Sequence, residues 1–127
     1  MPESYRMAVI LIVEDDALIC EMAGMLIHDF GHHIVLASDV CEGLAILRSS
    51  QRFDALFTDI YLKKAIFGGC DLAQQARLIL PELRILYTTG NAITASLKAV
   101  FVSGSHFLRK PYTSAQLQTS ITSLLAA

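Results

Sequence analysis

Four acidic residues stand where two apolar runs stop. Residues 8–13 are apolar and end at three consecutive carboxylates, Glu14, Asp15 and Asp16, and Asp59 ends a second run in "LFTDI". Clustered carboxylates repel one another unless a cation neutralises them. Such hard oxygen ligands suit Mg²⁺, which binds proteins through one or two carboxylates and keeps several waters. The acids therefore predict a Mg²⁺ site if the fold brings them together.

Two further side chains are suited to act on a phosphate. Lys110 in "FLRKPY" offers a cation that can offset the charge of a phosphoryl group, and Thr89 in "YTTG" offers a hydroxyl donor. A carboxylate nucleophile beside a cation and a hydroxyl suits phosphoryl transfer.

These side chains all follow short, β-branched apolar runs, and the stretches between the runs have helical periodicity. The five runs cover residues 8–13, 33–37, 55–58, 84–88 and 106–109. Strands that are almost wholly apolar indicate a parallel sheet covered on both faces. Five strand–helix units predict an α/β fold, a single (βα)5 doubly wound, flavodoxin-like sandwich with a five-stranded parallel sheet. Ligands bind such sheets at the carboxyl ends of the strands, where the residues above would meet.

The helical stretches carry apolar faces and boundary signals. Asp16 is placed to cap the first helix, and Asp39 with Glu42 resembles a capping box that opens the second. Gly31 predicts the end of the first helix, and Pro81 separates the third helix from the fourth strand. One apolar face is predicted on the first helix and one on the last: Leu18, Met22, Met25 and Leu26; and Leu117, Ile121, Leu124 and Leu125.

Composition excludes several classes of function. No apolar run approaches the roughly 18 residues that span a bilayer, and acidic Glu3 argues against a signal peptide, so we expect a soluble cytoplasmic protein. The net charge of −2 and the lack of a dense Lys/Arg cluster argue against direct binding of nucleic acid. Cys20, Cys41 and Cys70 lack metal-ligand spacing and predict reduced core thiols. The length fits one domain over residues 1–127, with its core at about 8–125.

The motifs "ILIVEDD", "LFTDI", "YTTG" and "FLRKPY" resemble, in this order and spacing, those of the CheY-like receiver domain of bacterial two-component response regulators. The resemblance covers nearly the whole chain. It implies that Asp59 is phosphorylated by a histidine kinase or a histidine phosphotransfer protein. It also implies that Mg²⁺ is held by Glu14, Asp15, Asp59 and the backbone carbonyl of Tyr61.

The resemblance assigns further roles near the carboxyl end. Thr89, which directly precedes Gly90, matches the hydroxyl position, and Lys110 matches the lysine that contacts the phosphate. The Lys110–Pro111 peptide bond is typically cis in the family. In the family that the motifs resemble, phosphorylation draws the hydroxyl toward the phosphate, and the aromatic residue at the position of Phe107 turns inward. This two-state change remodels the face formed by the fourth helix, fifth strand and fifth helix, which could also form a homodimer.

One region departs from the family pattern. Receivers usually carry Met-Pro shortly after the phosphorylated aspartate, but "DIYLKKAIFGGCDL" has no proline, and Gly68 and Gly69 come a residue or two late. Lys63 and Lys64 occupy the loop instead. The departure affects the loop conformation and the identity of the backbone metal ligand. Tyr61 is also bulky, and we hypothesise that it shields an acyl phosphate from water.

Alternatives stay open on the residues alone. The acids could be a solvated helix start or ordinary turn residues. A Mg²⁺-dependent enzyme is a second class, although "TDIYL" lacks the Asp-x-Asp of Toprim domains and "VEDDA" lacks that of haloacid-dehalogenase-type phosphatases. A binding module with a vestigial site is a third. The leading hypothesis is a phosphoacceptor signalling module rather than an enzyme. The sequence leaves open the cognate kinase, the target, the phosphoryl lifetime, the oligomeric state and whether the domain belongs to a longer protein.

Overall fold

The structure, a computed structural model, describes residues 7–126. Strands and helices alternate along this part of the chain. Each predicted strand is confirmed to within one residue at either end. The elements in chain order are β1 (Val9–Val13), α1 (Ala17–Asp29), β2 (His33–Ala37), α2 (Val40–Leu47), β3 (Ala55–Asp59), α3 (Gly68–Ile79), β4 (Arg84–Thr89), α4 (Ala95–Lys98), β5 (His106–Arg109) and α5 (Ser114–Ala126).

All five strands are parallel and form one sheet in the order β2-β1-β3-β4-β5. The strand order reverses between β1 and β3, so the crossover helices cover opposite faces of the sheet. The predicted doubly wound α/β fold is therefore confirmed. Its carboxyl edge at β1 and β3 is where a ligand of such a sheet binds.

Two apolar layers hold the helices against the sheet. Leu11 and Val13 of β1 pack in the layer that includes side chains from α2, α3 and α4. Ile10 and Ile12 pack in the opposite layer, with side chains from α1 and α5. Adjacent strand residues point to opposite faces, so a fully apolar strand fills both layers. This double burial fixes the strand register and, with it, the positions of the residues that follow each strand.

The predicted helix boundaries are also found. The Asp16 side chain accepts hydrogen bonds from the backbone N–H groups of Leu18 and Ile19, and so caps α1. Asp39 accepts from the Glu42 N–H at 2.8 Å, as in a capping box, while the Glu42 side chain accepts from the N–H of Ser38, one residue before the cap, rather than from that of Asp39. These caps satisfy backbone N–H groups in the first turns of α1 and α2, which begin at the carboxyl edge of the sheet.

The apolar face predicted for α1 is wrong for three of its four residues, which are exposed; only Leu26 is half-buried and packs against the layer that contains Ile10 and Ile12. Leu18, Met22 and Met25 have 65%, 55% and 66% of their surface exposed. The buried face is made of Cys20, Ala23, Gly24 and Ile27. Small residues let this helix approach the sheet closely: a Cβ on Gly24 would lie 2.8 Å from the Cδ1 of Ile34. In α5 the predicted face is confirmed, with Leu117, Ile121 and Leu124 buried.

The cysteines match the prediction only in part. All three have free thiols; Cys20 and Cys70 are buried, but Cys41 is exposed on α2 and is not a core residue. No helix within residues 7–126 is both long and apolar enough to cross a membrane. Residues 1–6, including the Glu3 on which the argument against a signal peptide depended, lie outside the described part.

Candidate functional site

The carboxyl edge of the sheet gathers the predicted chemistry. Glu14 follows β1, Asp59 is the last residue of β3, Thr89 is the last of β4, and Lys110 follows β5. Register explains why they meet: Val13 pairs with Thr58, Asp59 with Thr88, and Thr89 with Arg109. Residues far apart in sequence therefore end at one level of the sheet.

Lys110 links two of the predicted acids directly. Its Nζ donates to Oδ2 of Asp59 and to Oε1 of Glu14, each at 2.7 Å. Glu14 and Asp59 are only 6% and 8% exposed. Burial lowers the pKa of Lys110, but the hydrogen bonds to Asp59 and Glu14 outweigh it and raise the pKa above its usual value. The lysine is therefore a fixed, permanently charged cation beside Asp59.

The contact with Lys110 does not fully offset the free-energy cost of ionising the buried Glu14 carboxyl group. Burial raises its pKa, and the hydrogen bonds from Lys110 and from the Asp16 backbone offset only part of that effect. The Asp16 N–H donates to Oε2 of Glu14 at 3.2 Å. Both carboxylate oxygens of Glu14 thus have a protein partner, as do those of Asp59, whose Oδ1 accepts from the Tyr61 N–H at 3.2 Å.

Asp15 points to a different partner. Its Oδ2 accepts a hydrogen bond from the backbone N–H of Lys63, 48 residues along the chain in the loop after β3. Burial raises the pKa of Asp15, but hydrogen bonds with the Lys63 backbone and with Glu14 outweigh it and lower the pKa below its usual value. Asp15 is thus held as a carboxylate against the loop.

The donor set suits Mg²⁺ chemically, but its side chains do not converge. Carboxylates and a backbone carbonyl are the hard oxygens that this ion prefers. However, no group of three or more His, Cys, Asp or Glu side chains within the described residues is arranged to hold a metal. The Glu14 carboxylate faces Lys110 and the Asp15 carboxylate faces Lys63, so the two are not directed at a common metal position in this conformation.

The two threonines at the end of β4 have different surroundings. Thr89 is 1% exposed, and its Oγ1 accepts from the Asn91 N–H at 3.1 Å. Thr88 is also buried, yet its Oγ1 has no hydrogen-bond partner among the described residues. Thr88 lines a cavity of about 10 Å³ together with Glu14, Asp59 and Lys110. The structure therefore places Thr88, and not Thr89, among the residues that line this cavity.

Sequence reasoning missed Thr88, although strand alternation could have found it. Leu86 packs in the same layer as Phe57, and residues two apart share a face. Thr88 therefore lies on the face of β4 toward which Asp59 points from β3. The sequence analysis assigned the hydroxyl position to Thr89 because Thr89 directly precedes Gly90. Thr89 lies on the opposite face of β4, the face of Tyr87.

The predicted switch region lies on the α4 side of the sheet. Phe107 is half-buried and packs against the layer that contains Tyr87, its neighbour in register. Tyr87 stacks on Phe101 with ring centroids 4.3 Å apart, and its hydroxyl accepts from the Val102 N–H. The Lys110–Pro111 peptide bond is cis. The helix α4 has only four residues, so loop residues on either side of it form much of this face.

The loop between β3 and α3 folds back on the site. Leu62 and Ala65 form an isolated antiparallel bridge, and Lys63 and Lys64 lie at the tip of the turn between them. The Gly69 N–H donates to the Ile60 carbonyl at 3.0 Å, which brings the start of α3 onto the end of β3. The loop is thus ordered without the proline that the family pattern contains.

Comparison with known proteins agrees with this geometry. A family model described as the response regulator receiver domain matches residues 10–122. A response regulator receiver protein from Sinorhizobium medicae is 30% identical, with a TM-score of 0.86; the match covers 96% of this chain and 97% of that one. The chemotaxis response regulator CheY4 of Vibrio cholerae is 25% identical, with a TM-score of 0.80, over 94% of this chain and 100% of that one. A third match, NtrX from Brucella abortus, is 24% identical with a TM-score of 0.83; it covers 95% of this chain but only 27% of that one.

Proposed function

This chain belongs to the response regulator receiver family, and we propose that Asp59 accepts a phosphoryl group from a histidine kinase or a histidine phosphotransfer protein. The observation that carries the proposal is the contact between Lys110 and Asp59. A buried carboxylate at a strand end is held 2.7 Å from a fixed ammonium group, which provides both a nucleophile and a cation for the transferred phosphate.

The transfer uses a single displacement. A carboxylate oxygen of Asp59 attacks phosphorus and forms the new O–P bond, while the P–N bond to the donor imidazole breaks and its electron pair returns to that nitrogen. Lys110 offsets the charge of the phosphoryl oxygens, and a threonine hydroxyl at the end of β4 donates to one of them. Transfer of this kind depends on positioning and charge rather than on acid–base chemistry.

The proposed metal ligands are Glu14, Asp15, Asp59 and the backbone carbonyl of Tyr61. Bound Mg²⁺ would neutralise charge on the carboxylates and on the phosphoryl group. Asp59 and Asp15 supply carboxylate oxygens, and Glu14 acts directly or through water. This proposal rests on the chemistry of the donor set and on the position of these residues at one edge of the sheet.

The proposed output is a conformational switch. Thr89 moves toward the phosphorylated Asp59, Phe107 turns inward, and the α4-β5-α5 face is remodelled. The half-buried position of Phe107 supports this, because a fully packed ring would have no room to change rotamer. The same face is the proposed surface for a protein target or a homodimer.

We propose a cytoplasmic signalling module that catalyses only its own phosphorylation and dephosphorylation. Its proposed partners are proteins, with no direct contact to nucleic acid, in keeping with the net charge of −2.

Intact-mass spectrometry tests the proposal. The protein is incubated with MgCl₂ and a small acyl-phosphate donor, with and without a chelator. We expect one phosphoryl adduct that requires Mg²⁺ and is absent from Asp59→Asn. Asp16→Asn is the matched control, since asparagine caps a helix as well as aspartate does, and it should keep the adduct. An adduct that persists in Asp59→Asn would contradict the proposal.

A further inference from the structure

The turn after β3 lies against one of the proposed metal ligands. Leu62 and Ala65 close the turn through two backbone hydrogen bonds, Ala65 N–H to the Leu62 carbonyl at 3.0 Å and Leu62 N–H to the Ala65 carbonyl at 3.3 Å. Lys63 is the first of the two residues at its tip. Its backbone N–H is not used within the turn and donates instead to Oδ2 of Asp15.

The hydrogen bond from Lys63 and the binding of a metal ion compete for the carboxylate of Asp15. An N–H donor brings partial positive charge to the oxygen lone pairs that a divalent cation would use, so the two repel each other at one oxygen. The contact also turns the carboxylate toward the loop. In keeping with that orientation, no group of three or more His, Cys, Asp or Glu side chains within residues 7–126 is arranged to hold a metal.

Within residues 7–126, the tip of the turn has few other polar contacts. Residues 63–67 are exposed, whereas Leu62 is buried and anchors the base of the turn. Lys64 lies 3.8 Å from Asp39, but 85% of the Lys64 side chain is exposed, and exposed ion pairs of this kind contribute little. The bond to Asp15 is therefore the main tie between the tip and the sheet edge.

We propose that the Lys63 N–H acts as a latch on Asp15, so that binding of Mg²⁺ requires this hydrogen bond to break and the turn to separate from the sheet edge. The inference rests on the proposed function, because it assumes that Asp15 is a metal ligand. The latch weakens Mg²⁺ binding and couples metal occupancy to the conformation of the β3–α3 loop.

Two substitutions of one residue isolate the N–H group. Lys63→Pro and Lys63→Ala both remove the ammonium group near the acids, but only proline removes the backbone donor. Proline also suits the position, which is the second residue of a β-turn and follows the extended residue Leu62. The change therefore removes the latch without opposing the turn.

Titration calorimetry with MgCl₂ on the folded variants provides the test. We expect Lys63→Pro to bind Mg²⁺ roughly three- to tenfold more tightly than Lys63→Ala, as the net contribution of one hydrogen bond implies. Equal affinities in the two variants would overturn the latch while leaving the metal site intact. Failure of wild type and both variants to bind Mg²⁺ would overturn the metal part of the proposed function, and the latch with it.

A second measurement uses the wild-type chain and does not depend on how the proline variant folds. Amide hydrogen exchange at Lys63, followed by NMR, should be slow without Mg²⁺ and faster at saturating Mg²⁺, while the exposed Lys64 serves as an internal reference. If the Lys63 amide exchanges equally slowly without Mg²⁺ and at saturating Mg²⁺, the proposal is overturned.

Discussion

The ammonium nitrogen of Lys110 lies 2.7 Å from Oδ2 of Asp59, and it lies equally close to Oε1 of Glu14. One cation therefore serves two buried carboxylates. This arrangement keeps Asp59 beside a positive charge, but it holds Glu14 in buried surroundings that favour its neutral form and raise its pKa. Functional sites often reduce stability in this way.

Replacement of Glu14 by glutamine should stabilise the protein at neutral pH. Because burial raises the folded-state pKa of Glu14 above its unfolded value, the folded state binds the extra proton more strongly. Glu14 therefore destabilises the folded protein. The loss begins as the pH rises past the pKa of Glu14 in the unfolded chain and is complete above its pKa in the folded protein. Well below both pKa values Glu14 has no effect on stability. Thermal unfolding of Glu14→Gln should therefore show a higher Tm than wild type at pH 7.5 and nearly the same Tm at pH 3.5. Exposed Glu21→Gln is the control, and a Glu14→Gln advantage that grows at low pH would contradict this account.

Thr88→Val should stabilise the protein. The Thr88 hydroxyl is buried and has no hydrogen-bond partner within residues 7–126, so valine removes an unsatisfied polar group at almost constant volume. We expect a gain of about 1 kcal/mol in the free energy of unfolding, measured with urea. The adjacent Thr89→Val should instead lose about 1 kcal/mol, because it leaves the Asn91 N–H without its acceptor. A loss of stability in Thr88→Val would show that its hydroxyl has a stabilising partner.

Gly69→Ala should damage the site more than Gly68→Ala. A Cβ at Gly69 would collide with the carbonyl oxygen of Asp59 and lie 2.8 Å from its carbonyl carbon, so the backbone at the end of β3 must move. At Gly68 the nearest atom is the Ala65 Cβ at 3.0 Å, a contact with more clearance that a small movement can relieve. We expect Gly69→Ala to cost roughly 1–3 kcal/mol or more in urea unfolding and to slow phosphorylation. Equal effects of the two substitutions would argue against this close contact.

His32 should make stability fall on mild acidification. Its Nδ1 accepts a hydrogen bond from the Ala8 N–H at 3.1 Å, which requires a neutral ring at that nitrogen, and burial lowers its pKa. Because the folded pKa lies below the unfolded value of about 6.5, stability is lost as pH falls below about 6.5 and levels off below the folded pKa. Urea unfolding between pH 7.5 and 5 should show a smaller loss in His32→Gln than in wild type. His33→Gln, at an exposed neighbour, should behave as wild type; equal slopes in all three proteins would refute the role of His32.

The sequence predicted the strands well because their runs are short, rich in β-branched residues and mostly apolar, and the central strands β1, β3 and β4 are buried on both faces. It failed on α1 because that helix has two faces with apolar character. Leu18, Met22 and Met25 follow a helical rhythm, but the smaller residues Ala23 and Gly24 allow closer packing and so lie against the sheet. Side-chain volume, rather than hydrophobicity alone, decided which face is buried.

The sequence could predict those residues of the candidate site that lie at the ends of strands. Asp59 and Lys110 meet because of the sheet register, which follows from the strand pattern. The contact between Lys63 and Asp15 joins residues 48 positions apart in a loop whose sequence departs from its family. No periodicity specifies such a contact, since it depends on a backbone group that every residue except proline carries.

The most direct test of the central claim is to locate the phosphoryl group. The protein is phosphorylated with a small acyl-phosphate donor and Mg²⁺, treated with borohydride, which reduces an aspartyl phosphate to homoserine, and mapped by peptide mass spectrometry. The account predicts homoserine at position 59 and unchanged aspartate at positions 15, 16 and 54. Homoserine at any of those positions instead of 59, or an intact Asp59 in protein that carries the adduct, would contradict it.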